Sequence, residues 1–128
     1  MAESKPKIGT ILWCDLTVDN AEAVRDFYAA VVGWQAQPVD MGGYADCYML
    51  PPEAEEAEAG ICHARGSNAG IPPQWLLYVA VADMEESIRR CREHGGRVLR
   101  ESRPLGSGRV CIVQDPAGAV CALYEVEK

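Results

Sequence analysis

The sequence predicts an α+β protein built from two tandem β-α-β-β-β modules. The first observation is the stretch from Gly9 to Gly33, which reads as one β-strand running directly into one amphipathic helix. The second is that this order returns later in the chain, with Val18 matched by Val81 and Gly33 by Gly96, each 63 positions apart. One such module cannot cover the second face of its own sheet. The two copies are therefore expected to pack together and leave a cleft between them.

The first module opens with a strand and a helix. Residues 11–18 are β-rich and largely apolar, and Asp19-Asn20 breaks the strand. The positions that follow have the spacing of the apolar stripe of an amphipathic helix: Val24, Phe27, Tyr28, Val31 and Val32. Asn20 or Asp19 can cap the start of this helix, and Gly33 can end it.

Three further strands complete the first module. Residues 34–39 form a strand in which Pro38 favours an edge position. Residues 44–50 and 60–65 are the other two strands. The acidic, proline-led segment 51–59 between them is predicted to be a solvated loop.

The second module follows the one linker-like segment of the chain. A strand at 74–81 leads into a helix at 83–94, where Asp83 and Glu86 form a capping-box-like start. The remaining strands are 97–102, 109–114 and 119–126, separated by turns at 104–108 and 115–118. The predicted organisation is therefore a polar tail at 1–8, a first module at 9–66, a linker at 67–73 and a second module at 74–128.

Composition argues against several function classes. The formal net charge of -7 at pH 7 argues against a nucleic-acid partner, which needs a basic face. No apolar run approaches the ~20 residues of a membrane span, and the opening MAESKPK lacks the apolar core of a signal peptide. We therefore expect a cytoplasmic protein with no membrane association. The six cysteines contain no C-x-x-C pair and are expected to be buried free thiols; a disulfide framework or a zinc site is the alternative.

Three segments, in this order, carry a resemblance to a known family. They are LTVDNAEAVRDFYAAVVGW, YVAVADMEESIRRCREHGGRV and VQDPAGAVCALYE. Together with the duplicated modules, they resemble the vicinal oxygen chelate superfamily, which includes glyoxalase I, the bleomycin-resistance proteins and extradiol dioxygenases. The resemblance covers residues 8–126 and looks closest to small stand-alone glyoxalase-like proteins.

The resemblance implies a curved mixed sheet around a cup-shaped cleft, with the helices outside, and a homodimer. It also implies a divalent metal held by His, Gln or Glu side chains from four strands. The matching positions are Trp13, Leu76, Ala122 and either Gly60 or Ile61. None of these side chains binds a metal, and the nearby Cys62 and His63 cannot replace the missing set. We therefore expect no metal and no other cofactor.

Alternation along the first strand predicts a ligand-binding surface. If Trp13 faces the cup, Asp15 and Thr17 share its side, and two tyrosines of later strands face it as well. The predicted binding residues are Trp13, Asp15, Tyr78 and Tyr124. A carboxylate among apolar neighbours is costly unless it is paired, so Asp15 is either a candidate catalytic base or the structural partner of Arg65 or Arg109. The alternative is that these rings simply fill the cup as core. His63 is interpreted as a surface histidine or a strand histidine with satisfied hydrogen bonds.

Three functions remain open from the sequence. The first is a metal-free small-molecule binding protein of the bleomycin-resistance kind, which sequesters or senses a compact, partly aromatic compound. The second is a lyase or isomerase of the glyoxalase kind with a non-standard site. The third is a non-catalytic interaction module whose cup is filled by its own side chains.

Overall fold

The structure is a computed structural model that describes residues 6–126. Within them lie two α-helices, a short 3-10 helix at Gly66–Asn68 and eight β-strands. The order is β1 (Ile11–Val18), α1 (Ala21–Val32), β2 (Gln35–Asp40), β3 (Ala45–Leu50), β4 (Ala59–His63), β5 (Trp75–Val81), α2 (Met84–Glu93), β6 (Arg97–Leu105), β7 (Gly108–Gln114) and β8 (Val120–Glu125). The predicted α+β fold with two β-α-β-β-β modules is confirmed. Neither α-helix of these residues is long and apolar enough to cross a membrane.

Residues 14–75 form one compact unit. Its strands are hydrogen-bonded in the order β2-β3-β4-β1. β1 runs parallel to β4, with Asp15 opposite Gly60, whereas the β2-β3 and β3-β4 pairs are antiparallel. As predicted, Pro38 lies in the terminal strand of this order, where its missing backbone N–H interrupts no inner ladder.

The core of this unit lies between its sheet and α1. The buried side chains of this cluster are Leu16, Val18, Ala21, Cys47, Met49 and Ile61. Four larger side chains pack against it: Val24, Tyr28, Trp34 and Trp75. The indole Nε1–H of Trp75 donates a hydrogen bond to the Tyr28 hydroxyl at 3.0 Å, so two aromatic residues at the edge of this core satisfy each other's polar groups.

Helix α1 begins and ends where the sequence predicts, but the predicted capping hydrogen bond at its start is not made. The helix starts after Asn20, yet the Asn20 side chain makes no capping hydrogen bond. At the other end Gly33 has a φ of 87°, and its backbone nitrogen donates a hydrogen bond to the carbonyl oxygen of Ala29 at an N···O distance of 3.1 Å. A left-handed conformation of this kind is readily accessible to glycine. Gly33 therefore stops the helix as predicted.

The apolar stripe of α1 is only partly buried. A stripe with this spacing normally faces a core, and Val24 and Tyr28 do pack there. Phe27, Val31 and Val32 are instead 55%, 65% and 50% exposed. Amphipathic spacing thus predicted the helix correctly but overstated how much of its apolar surface the sheet covers.

Residues 6–13 and 76–126 form the second compact unit. Its strand order is β5-β8-β7-β6, with β5 parallel to β8 and the other pairs antiparallel. The N-terminal segment joins this unit through Ala80: the Gly9 N–H donates to the Ala80 carbonyl at 2.8 Å, and the Ala80 N–H donates to the Thr10 carbonyl at 2.9 Å. The polar tail predicted at 1–8 falls largely on residues 1–5, which lie outside the described residues.

Both faces of the second unit's sheet carry buried side chains. On the face covered by α2, the buried cluster is Met84, Cys111 and Val113. On the opposite face, five side chains are at most 3% exposed: Leu76, Ala80, Val110, Ile112 and Ala122. These five positions are core.

The start of α2 confirms its predicted cap. The Asp83 carboxylate accepts a hydrogen bond from the backbone N–H of Glu86 at 3.1 Å. In a full capping box the glutamate would bond back to the cap residue. The Glu86 carboxylate instead pairs with Arg89 and Arg90, one turn further along the exposed side of the helix.

Strand β6 is longer than the sequence predicts. It continues through Pro104 to Leu105, and the Leu105–Gly108 pair closes the hairpin to β7. The turn expected at 104–108 is therefore confined to Gly106 and Ser107. β6 is the terminal strand of its order, so Pro104 is tolerated there without the loss of an inner hydrogen bond.

Candidate functional site

Alternation along β1 assigns its side chains to two faces. Leu16 and Val18 pack in the cluster under α1, so Trp13, Asp15 and Thr17 point away from the helix, as predicted. The parallel register pairs Asp15 with Gly60 and Leu16 with Ile61. Gly60 therefore shares the face of Asp15, and the fourth metal position left open by the sequence is Gly60 rather than Ile61.

The residues at the family's metal positions do not fit a metal ion. With the register settled they are Trp13, Gly60, Leu76 and Ala122. An indole N–H is a donor only, and the other three side chains carry no oxygen, nitrogen or sulfur. Within residues 6–126, no group of three His, Cys, Asp or Glu side chains lies close enough together to hold a metal.

Asp15 lies half-buried on the β1 face that points away from α1. The two arginines suggested as its partners make other contacts. The Arg65 guanidinium lies 4.0 Å from the ring centre of Tyr44, and Arg109 donates to the Ser102 hydroxyl at 2.8 Å. Asp15 has interactions of its own with other described residues, and its register partner in β4 is Gly60.

The thiol of Cys62 reports the electrostatics of this face. Burial raises the pKa of Cys62 most strongly, and the negative charges of Asp15 and Asp46 raise it further. The thiol also hydrogen-bonds Asp46. Cys62 is therefore a neutral thiol at neutral pH, and the face around it favours hydrogen-bond donors and cations over anions.

The remaining predicted binding residues belong to the second unit. Trp13, Tyr78 and Tyr124 are each half-buried, unlike Leu76, Ala80 and Ala122 on the same faces of their strands, which are core. The Tyr124 hydroxyl donates to the Leu105 carbonyl at 2.8 Å, so this phenol holds the end of the β6-β7 hairpin. The roles of these three residues and of Asp15 in ligand binding stay predictions.

The structure also brings together a histidine and a carboxylate that the sequence did not connect. One carboxylate oxygen of Asp46, Oδ1, accepts hydrogen bonds from the His63 backbone N–H at 2.9 Å and from the His63 ring nitrogen Nδ1 at 3.0 Å. Both side chains are nearly buried, 9% exposed for Asp46 and 13% for His63. His63 is therefore a strand histidine with satisfied hydrogen bonds, one of the two interpretations drawn from the sequence, and Asp46 orients its imidazole.

Tyr44 contacts the His63 ring, and Arg65 in turn contacts Tyr44. Tyr44 packs edge-on against the imidazole, with the ring centres 5.1 Å apart. Arg65 lies over the other ring of this pair, that of Tyr44. Sequence reasoning missed this arrangement because Asp46 and His63 are 17 residues apart and lie on different strands. Only the β3-β4 register, which pairs Cys47 with Ile61, brings them together.

A match to a protein-family model assigns the chain to a superfamily. The model described as the glyoxalase/bleomycin resistance protein/dioxygenase superfamily matches residues 10–123. The chain belongs to this superfamily. The match covers both β-α-β-β-β modules and confirms the resemblance carried by the three sequence segments.

Relatives within the superfamily are longer than this chain. A Mycobacterium tuberculosis protein named "Putative glyoxylase CFP32" is 29% identical over 127 residues, which is 98% of this chain and 49% of the relative. The "Anthracycline biosynthesis protein DnrV" of Streptomyces peucetius is 30% identical over 123 residues, 94% of this chain and 42% of the relative. The chain thus spans about half the length of the curated superfamily members that it matches.

A solved structure supports the same fold. The hypothetical protein BH1468 from Bacillus halodurans C-125 superimposes with a TM-score of 0.61 at 14% identity, covering 95% of this chain and 97% of that one. At this identity, the likeness shows the superfamily fold alone.

Proposed function

We propose that this superfamily member binds a small organic molecule without the help of a metal ion. The observation that carries the proposal is the set of residues at the family's four metal positions, Trp13, Gly60, Leu76 and Ala122, which offers no metal-binding side chain. A family member with this set has to hold its ligand by packing and by hydrogen bonds.

The chemistry around Asp15 suggests what the ligand carries. Asp15 and Asp46 both raise the pKa of Cys62, after the larger effect of burial, so this face of the first unit has a negative field. A ligand that donates hydrogen bonds through hydroxyl or amine groups complements such a face. The indole of Trp13, two positions earlier in β1 and on the same face as Asp15, favours an aromatic body. The name of DnrV, an anthracycline biosynthesis protein, supports a polycyclic aromatic ligand.

The test uses 1,4-dihydroxyanthraquinone as a probe with an aromatic body and hydroxyl donors. Protein treated with a chelator is titrated with the probe, and quenching of tryptophan fluorescence is followed together with the thermal unfolding midpoint. We expect saturable binding that the chelator does not weaken. Asp15→Asn should weaken binding about tenfold, because a hydrogen bond to a charged group contributes about 1.5–3 kcal/mol.

Asp19→Asn is the matched control. Asp19 is exposed directly after β1, so its replacement removes the same charge at an exposed position outside the strand. Its probe affinity should match that of the wild type. A stoichiometric divalent ion in the purified protein, or equal affinity for the Asp15 and Asp19 variants, would contradict the proposal.

The second candidate is an enzyme of the glyoxalase kind. The name of the relative CFP32, a putative glyoxylase by its printed title, favours it. In a metal-free reaction Asp15 would have to act as the base. Turnover of a methylglyoxal–thiol adduct by chelator-treated protein, abolished by Asp15→Asn and retained by Asp19→Asn, would establish this alternative over simple binding.

A further inference from the structure

Gly60 occupies an unusual place for a glycine in the first unit. It lies within β4, an inner strand that pairs with β1 on one side and with β3 on the other. Glycine weakens the interior of a strand, because it has no side chain to pack and loses the most conformational freedom on folding. The common reasons to find one there are a positive φ, a β-bulge, or the close approach of a ligand or another chain segment.

Two of these reasons do not apply to Gly60. Its φ is not positive, so the backbone conformation does not demand glycine. Gly60 pairs with Asp15 in β1 and with Tyr48 in β3, and the register of both ladders continues without a shift, so it does not form a bulge. The reason that remains is the close approach of another group on the face where a side chain would stand.

This face of β4 points away from α1. Cys47 and Met49, on either side of Tyr48 in β3, are buried in the cluster under α1. Alternation therefore puts Tyr48 on the opposite face, and its register partner Gly60 shares that face. Asp15 shares it from the other side, as the register partner of Gly60 in β1.

The pairing places four residues in one row across the sheet of the first unit. In the strand order β1, β4, β3 and β2, they are Asp15, Gly60, Tyr48 and Gln37. Asp15 is half-buried, the backbone of Gly60 is buried, and Gln37 is exposed. Tyr48 is 45% exposed. The row therefore has a carboxylate and an accessible aromatic ring, with a glycine between them.

The neighbouring row on the same face is closed. Thr17 pairs with Cys62, and the Cys62 thiol hydrogen-bonds Asp46. Thr17 and Asp46 are both buried. Contact of a ligand with side chains of this face is therefore favoured at the row that contains the exposed Tyr48.

The spacing of the strands suits one aromatic layer over Gly60. Neighbouring strands are about 4.7–4.9 Å apart, so the backbones at Asp15 and Tyr48, two strands apart, are separated by roughly twice that distance. Side chains stand roughly perpendicular to a sheet, and carbon atoms in contact lie about 3.5–4.0 Å apart. One flat ring fits between two flanking side chains at this spacing, whereas two stacked rings do not.

We propose that the small molecule lies over Gly60, with its aromatic body against the Tyr48 ring and a donor group on the Asp15 carboxylate. Tyr48 is then a further ligand-binding residue, and Gly60 sets the thickness of the ligand that the site accepts. The ligand class is a flat aromatic compound with a hydroxyl or amine donor. This inference rests on the proposed function and adds a position and a shape to it.

Gly60→Val tests the space over the glycine, with 1,4-dihydroxyanthraquinone as the probe. Valine is well suited to a strand, so the thermal unfolding midpoint of the variant without probe should be at least that of the wild type. Its probe affinity should be lower by about tenfold or more, because extra atoms in an occupied site cost roughly a factor of five to a hundred. Ala45→Val is the matched control: Ala45 is exposed in β3 on the side of α1, so its replacement should leave the affinity unchanged.

Variants of Tyr48 test the aromatic contact. Tyr48→Leu should weaken probe binding about fivefold, because an aromatic pair contributes a factor of about two to ten beyond the burial of its area. Tyr48→Phe keeps the ring and should bind the probe within about twofold of the wild type. Phe27→Leu also replaces an aromatic ring by leucine, at an exposed position of α1, and should have no effect.

The outcomes separate this inference from the proposed function. Saturable probe binding by the wild type supports the proposed function whatever the variants do, and the absence of any binding overturns both. Wild-type affinity in Gly60→Val or in Tyr48→Leu would overturn the inference alone. A lower unfolding midpoint for Gly60→Val would show that atoms of the protein already fill the space over Gly60, and it would overturn the inference as well.

Discussion

At the scale of single residues, Tyr124 illustrates how a predicted ligand-binding side chain is used by the fold. Its hydroxyl donates to the Leu105 carbonyl at 2.8 Å at the end of β6. Its ring lies over Gly108, the first residue of β7, where an added Cβ would be 2.8 Å from ring and hydroxyl atoms and would also collide with the Glu125 carbonyl. Gly108 is therefore needed for its lack of a side chain, not for an unusual backbone angle.

Gly108→Ala should lower the free energy of unfolding by about 1–3 kcal/mol, the usual cost of forcing extra atoms into a packed site. Thermal or denaturant unfolding measures the change. The matched control is Ser107→Ala in the same turn, where the side chain is exposed and the expected change is within about 0.5 kcal/mol. If the two variants have the same free energy of unfolding, the close approach of Tyr124 does not exclude a side chain at position 108.

The candidate site was predictable to the extent that it depends on local alternation. Trp13, Asp15 and Thr17 share a face because side chains alternate along one strand, and the structure agrees. The Asp46–His63 hydrogen bond depends on the register of two strands 17 residues apart. No local pattern in the sequence carries that register, so the pair could not be derived from it.

At the scale of elements, each of the two helices follows a β-strand, but the two helices begin in different ways. Both follow a strand and a polar residue in the N-cap position. Asp83 uses its side chain to satisfy a free N–H at the start of α2, whereas Asn20 makes no such bond at the start of α1. Equal sequence signals for a cap therefore have unequal energetic weight here.

Replacing each cap residue by alanine measures this difference. Asp83→Ala should destabilise the protein by about 1 kcal/mol, the typical value for a side-chain cap. Asn20→Ala should cost much less, because no side-chain bond is lost there. Denaturant unfolding of both variants gives the comparison. A loss for Asn20→Ala as large as that for Asp83→Ala would mean that the Asn20 side chain caps α1 in solution.

The positions of helices and strands were more predictable from the sequence than the packing around them. Periodicity located α1, α2 and the strands, because each pattern is set by the geometry of a single element. The high exposure of Phe27 and Val31 was not predictable in the same way, because exposure depends on what packs against the outer side of α1. The extension of β6 through Pro104 likewise depends on β6 being terminal in its strand order.

At the scale of the whole molecule, the duplication visible in the sequence is the feature that the fold preserves most clearly. Each compact unit pairs its first and last strands in parallel and its remaining strands antiparallel. The chain spans about half the length of the relatives CFP32 and DnrV. The homodimer expected from the family resemblance stays a prediction.

We propose that the chain is a homodimer and that the outer side of α1 contributes to the contact. Phe27 and Val31 lie one helical turn apart and are more than half exposed, and such adjacent apolar side chains are typical of surfaces that become covered on association. Light scattering during size-exclusion chromatography should give about twice the chain mass of 13.9 kDa. The double variant Phe27→Lys, Val31→Lys should give the single-chain mass with an unchanged circular dichroism spectrum, since lysine is tolerated on an exposed helix face.

Met41→Lys is the control for this experiment, because Met41 is also an exposed apolar residue, 45% accessible, but lies in the turn after β2. It should keep the dimer mass. A single-chain mass for the wild type would refute the dimer itself, and a dimer mass for the α1 variant would move the contact elsewhere on the molecule. Because the Asp15 face is tested by ligand binding, neither outcome decides that site. The oligomeric state is thus a property of the molecule that can fail independently of the chemistry proposed for its residues.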